Sequence, residues 1–238
     1  MVCSNWRRKV LDALLPRHCI MCGLPSGPAN LCPPCRQDLP RAGAACPACA
    51  LPLPLGTGDS CGACLSRPPQ WDQAIAALLY RFPTDRLICR FKFNRDLACG
   101  EVLATELTLA VEEQCKALPS LVAPVPLHRV RQRSRRFNQA EVLARTVSRS
   151  ARIPLCRNLL RRRRRTRAQS GLDAEGRRKN TRDAFVLVSS GWSVGGRHVA
   201  LVDDVMTTGA TLEACSRVLK KAGAKSVSAW VAARAPNP

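Results

Sequence analysis

Residues 199–211, reading VALVDDVMTTGAT, constrain this chain of 238 residues more than any other segment. A short apolar run that ends in two acids and then a Thr- and Gly-rich turn predicts a buried strand that delivers carboxylates and phosphate donors to the carboxyl edge of a sheet. Thr207, Thr208, Gly209 and Thr211 offer hydroxyls and backbone N–H groups that an anion can approach closely. From Ala210 to Ala222 apolar residues recur at helical spacing, so the turn is expected at a helix N-terminus, whose dipole favours an anion. Asp203 and Asp204 would repel that anion unless they contact something else, such as sugar hydroxyls or a divalent cation. A sugar phosphate meets both requirements. The G-x-x-x-x-G-K-[ST] run of the common P-loop is absent, and so is a G-x-G-x-x-G following a strand.

The first third of the chain carries a different chemistry. Eight of the fourteen cysteines form four C-x-x-C pairs: Cys19/Cys22, Cys32/Cys35, Cys46/Cys49 and Cys61/Cys64. Thiolates two residues apart reach one metal from a single tight knuckle, so two pairs make a tetrahedral four-thiolate site of the kind zinc prefers, and four pairs make two such sites. The consecutive grouping puts Cys19, Cys22, Cys32 and Cys35 on one zinc and Cys46, Cys49, Cys61 and Cys64 on the other; spacing alone leaves the interleaved grouping open. Disulfides are disfavoured because the charged start, MVCSNWRRKVLDALL, lacks the apolar core and cleavage site of a secretory signal, which points to the cytoplasm. No apolar run reaches membrane-spanning length. Four thiolates leave no open coordination position, so both zincs are expected to be structural and to supply folding energy that this Pro- and Gly-rich segment lacks.

Composition shifts at residues 67–70, which divides the chain into a small Cys-rich domain, 1–70, and an α/β domain, 71–238. In the second, strands are expected at Ile75–Phe82, Leu121–Leu127, Pro154–Leu160, Phe185–Val188, the motif strand and Ser226–Ala233. Helices are expected at Thr84–Phe93, Leu97–Ala117, Asn138–Ser150, Leu172–Lys179 and after the motif. This alternation implies a mostly parallel sheet with helices on both faces. Residues 128–182 hold nineteen Arg or Lys against Glu141, Asp173 and Glu175, which is 19 − 3 = +16 of the chain's +21. One small anion does not account for so much charge, and a longer polyanion such as single-stranded nucleic acid, met by the run Arg161, Arg162, Arg163, Arg164 and Arg165, is a natural second partner.

The 199–211 motif closely resembles the phosphoribosyl-pyrophosphate (PRPP) loop of type I phosphoribosyltransferases. The resemblance implies that Asp203 and Asp204 hold the ribose hydroxyls while Met206, Thr207, Thr208, Gly209, Ala210 and Thr211 cradle the 5′-phosphate. Further segments look like the ComF family: Pro16 to Gly23 (PRHCIMCG) with Leu31, Cys32 and Cys35; Leu87 and Ile88 with Phe91, Lys92 and Phe93; and Val125 to Leu127 through Arg135 to Phe137, Asn138 and Gln139. That family joins a double zinc ribbon to a phosphoribosyltransferase-like domain and is associated with DNA uptake in natural competence. The resemblance implies a pyrophosphate-side loop of Pro126, Leu127, His128, Arg135, Arg136, Phe137 and Asn138. It also implies a mobile loop bearing Arg167, Gln169 and Arg178, and Mg²⁺ accompanying PRPP. Arg136 stands where the family usually has glycine, adding bulk and charge where the backbone uses glycine's freedom. Two functions follow as expectations. One is an accessory factor of competence that binds PRPP and single-stranded DNA and works with competence-machinery proteins. The other is an active transferase passing ribose 5-phosphate to a nucleobase, nucleotide or other acceptor.

Overall fold

The computed structural model describes residues 17–54, 60–127, 137–163, 184–188 and 191–236. Four strands form the central sheet: β3 (Gln73–Leu79), β4 (Leu121–Pro124), β7 (His198–Met206) and β8 (Ser226–Arg234), in the order β3-β8-β7-β4 with every pairing parallel. Beyond β4, the segment around Leu155 extends the sheet through a parallel bridge to Val122. A short antiparallel pair, β5 (Leu160–Arg162) and β6 (Phe185–Leu187), lies apart from it. The expected strand over 154–160 is thus two separate pieces. Expected strand β4 ends at Pro124 rather than Leu127, because Pro126 has no N–H with which to extend the ladder. The expected helix over 172–179 lies outside the described residues.

Alternation along the strands sorts the core onto two faces. Val122, Ala200, Val202, Trp230 and Ala232 face one layer of helices: α3 (Thr84–Phe93), α4 (Leu97–Gln114) and α5 (Gln139–Ser150). Leu121, Ala123, Val199, Leu201, Val227, Ala229 and Val231 face the other, which holds α6 (Ala210–Lys221) and the β5–β6 pair. These strands are buried on both sides, which is why they read as continuous apolar runs.

The Cys-rich segment contributes β1 (Arg17–His18), β2 (Pro25–Gly27), α1 (Pro33–Gln37) and α2 (Gly62–Ser66). Its two halves sit on opposite faces of the sheet. Cys19, Leu31, Cys32 and Leu39 join the core under α3 and α4, whereas Ala50 joins the core that includes Trp71 and α6. Between them the chain passes along edge strand β3, where Pro47 and Pro40 accept hydrogen bonds from the N–H groups of Ala74 (2.7 Å) and Leu79 (2.7 Å). An edge strand left open is a template for unwanted pairing, and here the ribbon segment covers it. On the first face, Glu106 of α4, 5 % exposed, receives Arg36 and Arg41 at 2.6 Å each, and Arg90 donates to the Ile20 carbonyl at 2.7 Å. Asn138 caps α5 by accepting from Ala140 N–H, and Asp96 caps α4 by accepting from Cys99 N–H. Among the described residues no helix is long and apolar enough to cross a membrane.

The arginines on Glu106 are half exposed. Glu106→Ala therefore releases them to water instead of stranding them, and the expected loss is about 1–2 kcal/mol. Calorimetric melting in excess zinc should show the midpoint lowered by about 2–8 °C; an unchanged midpoint contradicts this docking role.

Candidate functional site

Strand β7 ends at the carboxyl edge of the sheet, and its alternation separates the paired acids. Asp204 follows the face of Ala200 and Val202, where Lys92 from the last turn of α3 reaches its Oδ1 at 2.9 Å. Asp203 follows the opposite face and takes the N–H of Asp204 on its Oδ1 at 2.8 Å. Burial and the neighbouring Asp204 push the Asp203 carboxyl up to about 7, against the opposing influence of that N–H, Lys92 and Arg162. Two acids so close, with cations around them, make a cluster of acceptors primed for hydroxyl donors.

The turn after β7 has a defined shape. Gly209 takes φ +74°, the left-handed region that a side chain disfavours, and its carbonyl accepts from Glu213 N–H at 2.8 Å as α6 begins. A Cβ there would come within 2.7 Å of the Trp71 ring. Behind the turn lies Arg234, the last residue of β8 and 4 % exposed. Register places it beside Met206, and its Nη1 donates to the carbonyls of Met206 (3.0 Å), Thr207 (2.5 Å) and Ala235 (2.6 Å). Carbonyl oxygens repel anions, so a guanidinium drawing the first two backward suits a turn whose front is left to N–H groups and the hydroxyls of Thr207, Thr208 and Thr211. The geometry fits an anion before the helix and a hydroxyl-bearing group over the acids.

At the end of β4, where Pro124 pairs with Val202, Val125 N–H donates to the Val202 carbonyl at 2.8 Å, and Pro126 and Leu127 follow at the same carboxyl edge of the sheet. Of the other residues expected on the pyrophosphate side, His128, Arg135 and Arg136 lie outside the described residues. Phe137 packs against Phe91, ring centres 5.4 Å apart. The Asn138 amide donates to the Val125 carbonyl at 3.0 Å while its oxygen caps α5. Both hold the loop's end in place. Arg167, Gln169, Arg178, Arg164 and Arg165 also fall outside the described residues. In the basic run Arg161 and Arg163 are exposed. Arg162 departs from the expectation of a continuous basic surface: alternation in β5 turns it inward to 7 % exposure, with its guanidinium 5.2 Å from the Phe185 ring centre. His198 bonds the Ser228 hydroxyl at 2.8 Å within the sheet, a structural use.

The eight knuckle cysteines gather into two groups, Cys19, Cys22, Cys32 and Cys35, and Cys46, Cys49, Cys61 and Cys64, with all sulfurs of a group within 4.8 Å of one another. This is the consecutive grouping. Cys22 and Cys32 sulfurs stand 3.7 Å apart and Cys49 and Cys61 sulfurs 3.6 Å apart. Zinc with Zn–S bonds of about 2.3 Å spaces tetrahedral sulfurs about 3.8 Å apart, whereas a disulfide requires about 2.05 Å. The residues fit two structural zincs, which would be held entirely by thiolates. Knuckle backbone supports the charge: burial pushes the Cys19 thiol up, but N–H groups of Cys32, Cys22 and Met21 outweigh it and bring it to about 6. Cys46, buried likewise but faced by N–H groups of Cys61, Ala48 and Cys49, comes to about 7.

Three residues of the site carried no assigned role in the sequence reading: Lys92, Arg234 and Trp71. Lys92 stands inside the Phe91-Lys92-Phe93 segment, a cation between apolar residues at a helix end. Arg234 is the one charge closing an apolar strand of nine residues, which is a usable signal for a buried ion. Trp71 carries none beyond its place just after the composition shift at residues 67–70.

Comparison with known proteins agrees with this architecture. Residues 10–65 match the double zinc ribbon domain family and residues 100–238 the phosphoribosyl transferase domain family. The chain is 37% identical to Competence protein F of Haemophilus influenzae over 92% of this chain and 97% of that protein. It is 32% identical to the DNA utilization protein YhgH of Escherichia coli K12, over 92% of this chain and 98% of that one. Competence protein ComFC of Bacillus subtilis is 27% identical over 62% of this chain and 58% of that protein.

With its carboxyl raised from 3.8 to about 7, Asp203 holds its proton in the folded state over a range where the unfolded chain has lost it. Stability therefore falls as pH rises from about 4 through 7. Asp203→Asn is expected to stabilise the fold, by more at pH 8 than at pH 6. Denaturant titrations at both values, in zinc buffer, check this; an equal effect at the two values contradicts it.

Proposed function

Because this chain belongs to the ComF family, joining a double zinc ribbon to a phosphoribosyl transferase domain, we propose that it is a PRPP-binding accessory factor of natural competence and DNA uptake. We take residues 1–70 as the double ribbon and 71–238 as the phosphoribosyltransferase-like domain. The observation that carries PRPP is the acid pair at the end of β7 followed directly by a turn whose carbonyls are drawn back by Arg234. In this reading Asp203 and Asp204 accept the ribose hydroxyls. Thr207 to Thr211 receive the 5′-phosphate at the start of α6, and Mg²⁺ bound with PRPP screens the pyrophosphate. Lys92, already on Asp204, keeps that carboxylate aimed. Pro126 and Leu127 border the pyrophosphate side, with the residues of the two loops named from the sequence completing it.

The role in DNA uptake follows from the relatives named for competence and DNA utilization and from the +16 concentrated in residues 128–182. Single-stranded DNA is the proposed polyanion, met by exposed Arg161 and Arg163 with their arginine neighbours. The cytoplasm, whose reducing conditions keep eight zinc thiolates available, is the proposed compartment, and proteins of the competence machinery are the proposed partners. The acid pair and the turn after it also support a second reading, transfer of ribose 5-phosphate from PRPP to a nucleobase, nucleotide or other acceptor. In that reading the chain's own residues would act by holding ribose and phosphate while water is excluded.

Isothermal titration of the zinc-loaded protein with PRPP and Mg²⁺ is expected to give binding that disappears in Asp203→Asn/Asp204→Asn; no heat from the folded wild type overturns PRPP binding. Release of pyrophosphate with any acceptor would favour the transferase reading over the accessory one. For DNA, Arg161→Ala/Arg163→Ala should weaken single-strand binding and reduce its salt slope by about 0.7 per lost phosphate contact. An unchanged slope removes these two residues from the interface.

A further inference from the structure

The second ribbon is joined to the turn after β7 through two side chains, Arg234 and Trp71. Arg234, whose Nη1 holds the Met206 and Thr207 carbonyls, also donates from Nε to the carbonyl of Cys49 at 2.8 Å. Trp71, whose ring fills the space a Gly209 side chain would need, donates its indole N–H to the carbonyl of Ala48 at 2.6 Å. Next to it, Gln70 N–H donates to Glu213 in the first turn of α6 at 3.0 Å. Ala48 and Cys49 lie in the Cys46-Pro47-Ala48-Cys49 knuckle, where Ala50 takes φ 56° and bonds back to the Cys46 carbonyl at 2.7 Å. Both carbonyls that grip Arg234 and Trp71 therefore stand within a loop whose two ends are metal ligands.

We propose that Arg234 and Trp71 are positioning residues for the phosphate turn, and that through them the turn's shape depends on metal in the Cys46/Cys49/Cys61/Cys64 site and not on metal in the Cys19/Cys22/Cys32/Cys35 site. The value of this arrangement for binding rests on the turn being a phosphate site, as proposed above. A guanidinium this buried keeps its geometry only while its acceptors hold still. Cys49 O is fixed on one side by the knuckle, and Met206 O and Thr207 O lie on the other, so loosening the knuckle frees the carbonyls to turn toward the anion. The first site is tied elsewhere: Arg90 of α3 donates to the Ile20 carbonyl, Asn30 donates to Glu101 of α4 at 2.6 Å, and Arg36 donates to Glu106 of α4. Coupling of this kind is reciprocal, so a ligand in the turn must also tighten the second metal site.

The test uses the full chain prepared in the same zinc buffer, in wild type and in Arg234→Met, Arg234→Lys, Trp71→Phe, Cys61→Ser, which removes a ligand of the second site, and Cys22→Ser, which removes one of the first. It follows amide hydrogen exchange across residues 206–213 and affinity for ribose 5-phosphate. Arg234→Met and Cys61→Ser are expected to speed exchange in that segment about tenfold or more and to weaken ribose 5-phosphate by a similar factor. Arg234→Lys, which keeps the charge but cannot reach both sides, should rescue in part, and Trp71→Phe should give a smaller change of the same sign. Cys22→Ser should leave exchange at 206–213 unchanged. Unaltered exchange in Arg234→Met and Cys61→Ser, or an equal rise in Cys22→Ser, overturns the proposal. If Arg234→Met does not fold, zinc release from the wild type to a chelator decides: ribose 5-phosphate should slow release from the second site alone, and equal or absent slowing overturns the coupling. A wild type that fails to bind ribose 5-phosphate defeats the phosphate reading, while the exchange pattern still judges the positioning roles by itself.

Discussion

A guanidinium taken out of water must find acceptors for its donors or the fold loses several kcal/mol. Arg234 finds four carbonyls, those of Cys49, Met206, Thr207 and Ala235. They belong to the second zinc ribbon, the end of β7, the turn that follows it and the end of β8. One side chain thus ties the metal module, the sheet edge and the candidate anion site. The requirement works in both directions: the carbonyls need a cation behind them if the front of the turn is to receive a phosphate, and the cation needs the carbonyls in order to be buried.

The ribbons are correspondingly part of the α/β core. Pro40, between the two knuckle groups, and Pro47, inside the second, bond the outer edge of β3, and the two groups pack on opposite faces of the sheet. A segment with few large apolar residues gains a core by borrowing one, and the sheet gains a covered edge. The second cysteine group and the turn after β7 are therefore neighbours in space although they lie far apart along the chain.

Much of this was legible from residue order. The VALVDDVMTTGAT run specified strand, acids, turn and helix because burial, charge and helix capping all operate over a few residues. Helix α3 matched its expected ends, Thr84 and Phe93, and the consecutive cysteine grouping matched the sulfur clusters. What escaped was what depends on distant partners. Nothing local distinguishes Arg162, turned in against Phe185, from its exposed neighbours Arg161 and Arg163; only the pairing of β5 with β6 does so. Phe137 and Asn138 carried a family motif, yet their side chains serve Phe91, Val125 and the start of α5. The composition break near residue 70 marked a change of chemistry but concealed the Trp71 and Arg234 contacts that cross it.

The central claim is that the end of β7 and the turn behind it form a sugar-phosphate site. Crystals of the zinc-loaded protein grown with PRPP and Mg²⁺ test it most directly. The account predicts the 5′-phosphate seated on the N–H groups of Thr208 to Thr211 and the ribose hydroxyls on Asp203 and Asp204, with Arg234 still on the Met206 and Thr207 carbonyls. Ligand found elsewhere on the chain, or an empty turn at saturating PRPP, would contradict it.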